Sequence, residues 1–499
     1  MNELNLDIAY IEKIERLLEA IIAVNIEKDY FNLLNTILIK MMDISDADAG
    51  TLYIIEDNQL HFRILRNISL NIHQSAYDKI DLPPIILDPD NITNVCAYAA
   101  IKNEPLAIND VYKSTVFNFD GPKKYDKITG YRTQSMLNLP LTATENEISK
   151  VIGVIQLLNS TNWETGIIKP FEDINDPPLL PSLASISANA LANLLHAKEI
   201  KDLFNSFVKV MTKAIDERSP FNINHTNNVA MYGERFIRYL NNKFSPAHEF
   251  YFDKIRKDQF IMACLLHDIG KIVTPLEIMD KPDKLGSQLE IVKYRFAIKR
   301  YQIENDYLSG KSNAQQLEIN MKELDNALTL IESINNPGFL PDDKLEQVKK
   351  LSDIMYINET GEITPILTPQ NMDALTIKKG TLTDKEIEIM HEHASVTSRL
   401  LSQMKFNPYY KDVKYWAESH HEFLNGTGYP RKLAGNDLTT EICILTIIDI
   451  YEALTARDRP YKPVTPSDKA LSILSSDAAG GKLHKELVDL FIESKVWET

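Results

Sequence analysis

Cysteine is scarce in this sequence, and the few that occur are scattered. The 499 residues contain three cysteines, Cys96, Cys264 and Cys443, and no C-x-x-C pair. A disulfide framework is therefore not predicted, and free thiols are typical of a reducing compartment.

Membrane-spanning runs and excess positive charge are also missing. No apolar stretch approaches the roughly 20 residues of a membrane span, and the acidic start MNELNLDIAY lacks the basic region of a secretory signal. The chain carries 54 Lys and Arg against 70 Asp and Glu, a net charge of −16. Such a surface repels nucleic-acid polymers. We therefore expect a cytoplasmic protein that binds neither nucleic-acid polymers nor membranes.

The spacing of apolar residues predicts a multidomain α+β chain. Residues 1–45 have helical spacing, and short β-rich segments follow, among them GTLYII (50–55), MLNLPL (136–141) and VIGVIQLL (151–158). This order predicts an N-terminal α/β domain over residues 1–180.

A long helix is predicted over residues 181–216, where it would connect the two domains. Its apolar residues follow the 3,4 spacing of a coiled-coil seam. The seam consists of Ile200, Leu203, Phe207, Val210 and Ala214. The helix either caps a hydrophobic core or carries a signal between domains and pairs with its twin in a homodimer.

Residues 217–499 are predicted to be almost entirely helical. Within them, residues 286–380 are highly charged and contain two long helical patterns, Gln288–Asp306 and Asn313–Asn335, before a polar stretch with several prolines. We interpret residues 286–380 as an inserted helical hairpin and loop. They contain no histidine or cysteine, so no metal chemistry is predicted there.

Histidines and acids concentrate in four short segments of the C-terminal half. These are LLHDIGK (265–271), HEH (391–393), HHEFLNGTGYP (420–430) and ICILTIIDI (442–450). Asp449 lies in the last of them, where a carboxylate is costly to bury unless it is paired or binds metal. Residues two apart on a helix point roughly opposite ways, so only one histidine of HEH should face a shared site. Imidazole and carboxylate donors suit Fe, Mn, Zn or Ni, and a large set suggests two metals.

The segments LLHDIGK, HHEFLNGTGYP and IIDIYEALTARDRPYK together resemble the HD-GYP family. The resemblance implies an all-helical HD-type domain that hydrolyses cyclic di-GMP to the linear dinucleotide pGpG, with a second cleavage to GMP left open. It also implies two divalent metal ions, Fe or Mn first among the candidates, that activate the attacking water.

The resemblance assigns site residues position by position. The metal ligands would be His225, His267, Asp268, His393, His420, His421 and Asp449, with Asp268 between the two metals. The catalytic residues would be Asp268 and Lys271. The residues contacting the substrate would be Lys271, Gly428, Tyr429, Pro430, Arg459 and Lys462. Glu422 is expected to be solvated or to orient a histidine rather than to bind a metal directly.

Four positions depart from the family pattern. Asn425 and Glu452 stand where Asp is usual, and Ala394 stands where Pro is usual. Some members hold a third metal through a glutamate at the position of Phe221, which cannot bind metal. We therefore predict a binuclear centre.

The segments ADAGTLYII, GYRTQSMLNLPL and VIGVIQLLN resemble a GAF domain, a sensory module that often binds a small ligand. The signature of the cyclic-nucleotide-binding members is altered here, so the ligand stays unnamed. We expect a homodimeric, GAF-regulated cyclic dinucleotide phosphodiesterase. Two alternatives stay open, another cyclic dinucleotide or phosphoester as substrate, or a catalytically silent metal-binding receptor or scaffold.

Overall fold

The fold consists of two compact units, Met1–Phe204 and Asn205–Thr499. The structure is a computed structural model. It describes residues 2–74, 82–145, 148–171, 178–219, 224–456 and 464–498.

The first unit is built around one antiparallel sheet. Its helices are α1 (Asn2–Ile26), α2 (Tyr30–Ser45), α3 (Val95–Lys102) and α4 (Asp120–Thr129), followed by α5 (Leu179–Asp216), whose last residues belong to the second unit. Its strands are β1 (Ala47–Glu56), β2 (Gln59–Asn67), β3 (Ile72–Gln74), β4 (Ile85–Ile86), β5 (Leu106–Ile108), β6 (Met136–Glu145), β7 (Ile148–Asn162) and β8 (Ile167–Lys169). The strand order is β3-β2-β1-β7-β6-β5, with β4 paired to β2 and β8 to β7.

Both faces of this sheet are covered, because neighbouring residues of a strand point to opposite sides. Leu52 of β1 lies in the core formed with α1, α2 and α5. The next residue, Tyr53, lies in the core on the other face, together with Cys96 of α3. The elements of this unit confirm the predicted helical start, the β-rich segments and the long helix.

The second unit is mostly helical. Its helices are α6 (His225–Lys243), α7 (Lys254–Leu266), α8 (Leu276–Met279), α9 (Gln288–Leu308), α10 (Ala314–Ile334), α11 (Asp342–Lys350), α12 (Pro369–Leu375), α13 (Asp384–Leu401), α14 (Val413–Glu418), α15 (Thr440–Thr455), α16 (Ser467–Ala479) and α17 (Lys485–Ser494). Short 3-10 turns lie at Ile269–Val273, Leu351–Asp353, Pro408–Tyr410 and Gly435–Asp437, and β9 (Met355–Ile357) pairs with β10 (Ile363–Pro365). Among the described residues, no helix combines the length and apolarity needed to cross a membrane.

The inserted hairpin is present as α9 and α10, which share a core of their own. The stretch after it is not the plain loop that its prolines suggested, since it contains α11, α12 and the β9–β10 hairpin. Two of the prolines lie where helices begin, and Pro341 is the residue just before α11. Pro369 is the first residue of α12, a position where its fixed backbone angle favours a helix.

Candidate metal centre

The turn after α7 places two potential metal-ligand side chains in the interior. α7 ends at Leu266, and His267 and Asp268 follow, both buried. A Cβ on Gly270 would lie 1.9 Å from the carbonyl oxygen of His393, so only glycine allows α13 to pack this close. Thr397 of α13 fastens the contact: its hydroxyl accepts from the Gly270 N–H at 3.0 Å and donates to the His267 carbonyl at 3.0 Å.

α13 delivers one histidine of the HEH segment to the centre. The helix begins with a capping box, in which Thr383 and Glu386 satisfy each other's backbone N–H groups. His393 is buried and faces the centre. His391 lies outside it, with its ring stacked on Tyr429 at 3.7 Å between centroids.

The fold brings seven predicted ligands together from five separate segments. Potential ligand atoms lie within 4.8 Å of one another in three groups: His225, His267 and Asp449; His267, Asp268 and His420; and His393, His420 and His421. Six of the seven side chains are buried, and His421 is intermediate. α15 carries Asp449 and is buried on nearly all sides, which explains its continuous apolar sequence.

Asp268 lies between two sets of histidines. Its Oδ2 is 3.2 Å from Nε2 of His225 and 3.2 Å from Nε2 of His267. Its Oδ1 is 3.4 Å from Nε2 of His393 and 3.7 Å from Nε2 of His420. Among the described residues, this buried Oδ1 has no hydrogen-bond partner. A carboxylate shared by two cations would satisfy both oxygens.

Backbone carbonyls fix the tautomer of three histidines. Nδ1 bonds to the carbonyl three residues earlier in His267 (Cys264, 2.7 Å), His393 (Met390, 2.6 Å) and His420 (Ala417, 2.6 Å). A carbonyl only accepts, so Nδ1 carries the proton and Nε2 keeps its lone pair.

The resulting lone pairs face each other. Nε2 of His393 and Nε2 of His420 are 3.4 Å apart. Burial lowers the pKa of His420 to about 3 and also lowers the pKa of His393, so a proton is disfavoured between them. A metal cation would fit this donor set.

Glu452 orients His225, a role that the sequence reasoning missed. Its Oε2 lies 2.5 Å from Nδ1 of His225, and its Oε1 accepts from the amide of Asn228 at 2.9 Å. Nε2 of His225 therefore turns to Asp268 and Asp449. Burial lowers the pKa of His225, but hydrogen bonds to these three carboxylates outweigh burial and raise it. The i, i+3 spacing of Asp449 and Glu452 on one helix was the available signal.

Lys271 supplies positive charge beside Asp268. Its Nζ lies 2.5 Å from Oδ2 of Asp268. Burial would raise the pKa of Asp268, but the positive charge of Lys271 and the neighbouring His267 and His225 outweigh burial and hold that pKa well below its usual range. The carboxylate is thus ionised and able to bind metal.

The GTGYP loop packs tightly beside His421. A Cβ on Gly428 would lie 2.6 Å from the carbonyl oxygen of His421, so a side chain is not accommodated. Glu422 is fully buried, and its carboxylate accepts from the backbone N–H of Arg431 at 2.6 Å and of Leu433 at 3.0 Å. The expectation for Glu422 was wrong, since it holds the loop rather than meeting solvent or orienting a histidine.

Asn425 stabilises the same loop through hydrogen bonds to Thr427. Its Oδ1 accepts from the N–H of Thr427 at 3.1 Å and from its hydroxyl at 2.7 Å. An aspartate could accept the same bonds. Tyr429 covers the neighbouring histidine, with its ring 4.7 Å from that of His421, and a cis bond joins it to Pro430.

Three predicted positions lie outside the described residues. They are Phe221, Arg459 and Lys462. The binuclear prediction from Phe221 and the substrate contacts of the two basic residues stay predictions.

Comparison with protein-family models divides the chain in the same way. A GAF domain model matches residues 31–173, and two HD domain models match residues 222–353 and 360–486. The chain contains a GAF domain and an HD domain. The resemblance to GAF and HD domains is thereby confirmed, as is the multidomain α+β fold class.

Curated relatives match only part of the chain. A 3′3′-cGAMP-specific phosphodiesterase 3 from Vibrio cholerae is 38% identical over 105 residues, 21% of this chain and 22% of the relative. A cyclic di-GMP phosphodiesterase from Thermotoga maritima is 34% identical over 122 residues, 24% of this chain and 32% of the relative. The cyclic di-GMP phosphodiesterase response regulator RpfG from Xanthomonas campestris is 34% identical over 102 residues, 20% of this chain and 26% of the relative. The chain therefore spans less than a third of each relative's length.

Solved structures resemble the chain more distantly. A GAF domain from an Acinetobacter phosphoenolpyruvate-protein phosphotransferase has a TM-score of 0.27 at 13% identity and covers 38% of this chain and 98% of that one. A GAF domain/HD domain protein from Geobacter sulfurreducens has a TM-score of 0.23 at 16% identity and covers 34% of this chain and 95% of that one.

Proposed function

We propose that the HD domain is a metal-dependent phosphodiesterase that hydrolyses cyclic di-GMP to pGpG. The opposed Nε2 lone pairs of His393 and His420, 3.4 Å apart around a buried carboxylate, carry the proposal. Two relatives that match part of the chain are named cyclic di-GMP phosphodiesterases. A catalytically silent scaffold would have no need for a centre in which four imidazoles are oriented.

Two divalent metals fit the donor set. His225, His267, Asp268 and Asp449 would hold one, and Asp268, His393, His420 and His421 the other. When bound, such a pair activates water and stabilises the charge that develops on a phosphoester. Iron or manganese is our first choice, because mixed imidazole and carboxylate donors suit both.

The remaining residues of the centre position the substrate. Lys271 is partly exposed and already lies 2.5 Å from Asp268, so its ammonium can hold a phosphate oxygen or give a proton to the leaving oxygen. Tyr429 and Pro430 form the partly exposed edge of the rigid loop, where a guanine base could pack. Arg459 and Lys462 would bind the phosphates in an otherwise acidic protein.

The decisive experiment combines metal analysis with an assay. Protein purified without oxygen and loaded with Fe or Mn should contain about two metals per chain and convert cyclic di-GMP to pGpG. Asp268→Asn should lose both metal and activity, while His73→Ala, an exposed histidine of β3, should lose neither. Protein that contains two metals per chain but gives no product would rule out cyclic di-GMP as the substrate. Protein that binds no metal would favour a scaffold.

A second candidate substrate is 3′3′-cGAMP. A relative named for this substrate matches the chain at 38% identity over 105 residues. Assaying both dinucleotides side by side with the same metal-loaded preparation decides between them. A higher kcat/KM for 3′3′-cGAMP would replace cyclic di-GMP in the proposal.

We further propose that the GAF domain binds a small regulatory ligand and that the protein is a cytoplasmic homodimer. The seam residues of α5 support dimerisation, because Ile200, Leu203, Phe207 and Val210 are all exposed. A cytoplasmic location fits the buried free thiols and an intracellular dinucleotide substrate.

A further inference from the structure

α9, in the inserted segment, has two apolar faces although only one is covered. Val292, Phe296 and Ile303 are buried in the core of the insertion. Five other apolar side chains, which we call the α9 stripe, are exposed: Ile291 (42%), Tyr294 (68%), Ile298 (41%), Tyr301 (71%) and Leu308 (80%). At 100° per residue the two sets point about half a turn apart. The stripe therefore faces away from the core of its own chain.

The spacing of the stripe is that of a coiled coil. Its members lie at intervals of 3, 4, 3 and 7 residues, which is the heptad pattern with Ile291 and Ile298 at a and with Tyr294, Tyr301 and Leu308 at d. The one interruption is Asn305, an exposed residue that occupies the third a position. Apolar residues at a 3.5-residue period predict a helix as the occupant rather than a small molecule.

We propose that the α9 stripe pairs with the stripe of a second copy of this chain, forming a parallel two-stranded coiled coil. Isoleucine at a favours two strands, and a single asparagine at a is satisfied by the same asparagine of an in-register copy. An antiparallel pair would instead oppose Asn305 to the apolar Tyr294.

Charge favours the same arrangement. Glu290 occupies a g position, while Arg295 at the following e position bonds within its own chain to the Ile366 carbonyl at 3.2 Å and to Asn371 Oδ1 at 3.1 Å. In an antiparallel pair Glu290 would face Glu304, and two acids would repel. Glu290 is available on the surface, with its side chain 68% exposed.

The exposed surface is large enough for an interface. Each tyrosine contributes roughly 150–250 Å² when covered, and the stripe as a whole is of the same order as the roughly 800 Å² that a standard interface buries per partner. The β9–β10 hairpin extends it. Gln302 holds β9 beside α9 through both backbone groups of Ile357, at 2.6 and 3.0 Å, and Met355, Ile357 and Ile363 are exposed on the hairpin.

Cysteine cross-linking in the full chain tests the proposal. The three native cysteines are buried, so a mild oxidant acts on an introduced thiol. Facing a positions of a parallel pair are close enough for a disulfide, so Asn305→Cys should form covalent dimers. The matched control is Tyr307→Cys, whose position lies about 200° around the same helix and is 40% exposed. We expect several-fold more dimer from Asn305→Cys.

Two further preparations make the result decisive. Adding Tyr301→Glu to the Asn305→Cys chain should reduce cross-linking to the control level while metal content stays unchanged. Mixing Ile291→Cys and Asn305→Cys chains of different length should give only like-with-like dimers. Equal cross-linking at positions 305 and 307, no cross-linking, or mixed 291–305 dimers would each overturn the parallel self-pairing. None of these outcomes depends on whether the metal centre hydrolyses a dinucleotide.

Discussion

At the scale of single residues, the centre depends on one acid that holds a histidine in place. Glu452 fixes Nδ1 of His225 at 2.5 Å and so turns Nε2 towards Asp268 and Asp449. Acids that support a metal ligand in this way typically contribute 10- to 100-fold to metal affinity.

Replacing Glu452 by Gln should therefore weaken metal binding by roughly tenfold. The amide is a poorer acceptor for the imidazole N–H and leaves His225 less firmly oriented. Competition with a chelator measures the effect. Glu323→Gln, on the exposed surface of α10, is the matched control and should change nothing. Unaltered affinity in Glu452→Gln would show that His225 is oriented by other contacts.

The buried Asp216 carboxylate destabilises the folded state at neutral pH. It is buried, its Oδ1 accepts from the Thr226 hydroxyl at 2.7 Å, and its Oδ2 has no partner among the described residues. Burial raises the pKa of Asp216 from 3.8 to about 6. Because the folded pKa lies above the unfolded one, this group favours folding below about pH 4 and loses that contribution as the pH rises through 6.

In metal-depleted protein, Asp216→Asn should thus be stabilising at pH 8. The gain should be on the order of 2–3 kcal/mol at pH 8 and close to zero at pH 4. Denaturant unfolding at several pH values measures the gain. Asp202→Asn, an exposed change on the same helix, should show no such pH dependence. A gain in stability that did not grow with pH would mean that burial does not raise the pKa of the Asp216 carboxyl group.

At the scale of elements, the contact between α13 and the turn after α7 decides whether the two halves of the centre meet. It depends on Gly270, since a Cβ there would lie 1.9 Å from the His393 carbonyl. Gly270→Ala should separate α13 from the turn, lowering both metal content and the melting temperature. Gly121→Ala, where a Cβ meets nothing within 4 Å, should leave both unchanged. Retained metal in Gly270→Ala would contradict the close packing.

The exposed seam of α5 leads to a test of the proposed homodimer. Leu203→Glu combined with Phe207→Glu places charges in the seam and should shift the chain from dimer to monomer by sedimentation analysis, because charges at a and d positions disfavour pairing. Lys209→Glu, exposed on the same helix but off the seam, should remain dimeric. A dimer that survives the double change must use another surface, of which the α9 stripe is one.

Local patterns predicted most of the elements and failed where an element's role depends on its neighbours. The paired strands β1 and β7 follow from short β-rich segments, and α9 follows from helical spacing. The β9–β10 hairpin was not predicted, since its three-residue strands are too short to establish a period. In the same way the ligand types at His267, Asp268 and Asp449 could be read from motifs, whereas the loop-holding role of Glu422 could not.

At the scale of the whole molecule, the metals should stabilise only the second unit. All seven candidate ligands lie within Asn205–Thr499. A metal present at 100 times its dissociation constant adds about 2.7 kcal/mol to the stability of the unit that binds it. Calorimetry of metal-loaded and chelated protein should therefore show one transition that moves to lower temperature and one that does not. A shift of both transitions, or of neither, would contradict a metal site confined to the second unit.

The sequence by itself determined the two domain types, the order of their main elements and the chemical kinds of ligand, because these follow from local periodicity and short motifs. The tertiary structure alone decided how the ligands meet. His225 and Glu452 are 227 residues apart in the chain, and the two oxygens of Asp268 serve different histidines. No local pattern encodes such pairs, since they depend on helix packing and side-chain direction. The uncovered face of α9 was likewise visible only after its other face had been assigned to the core.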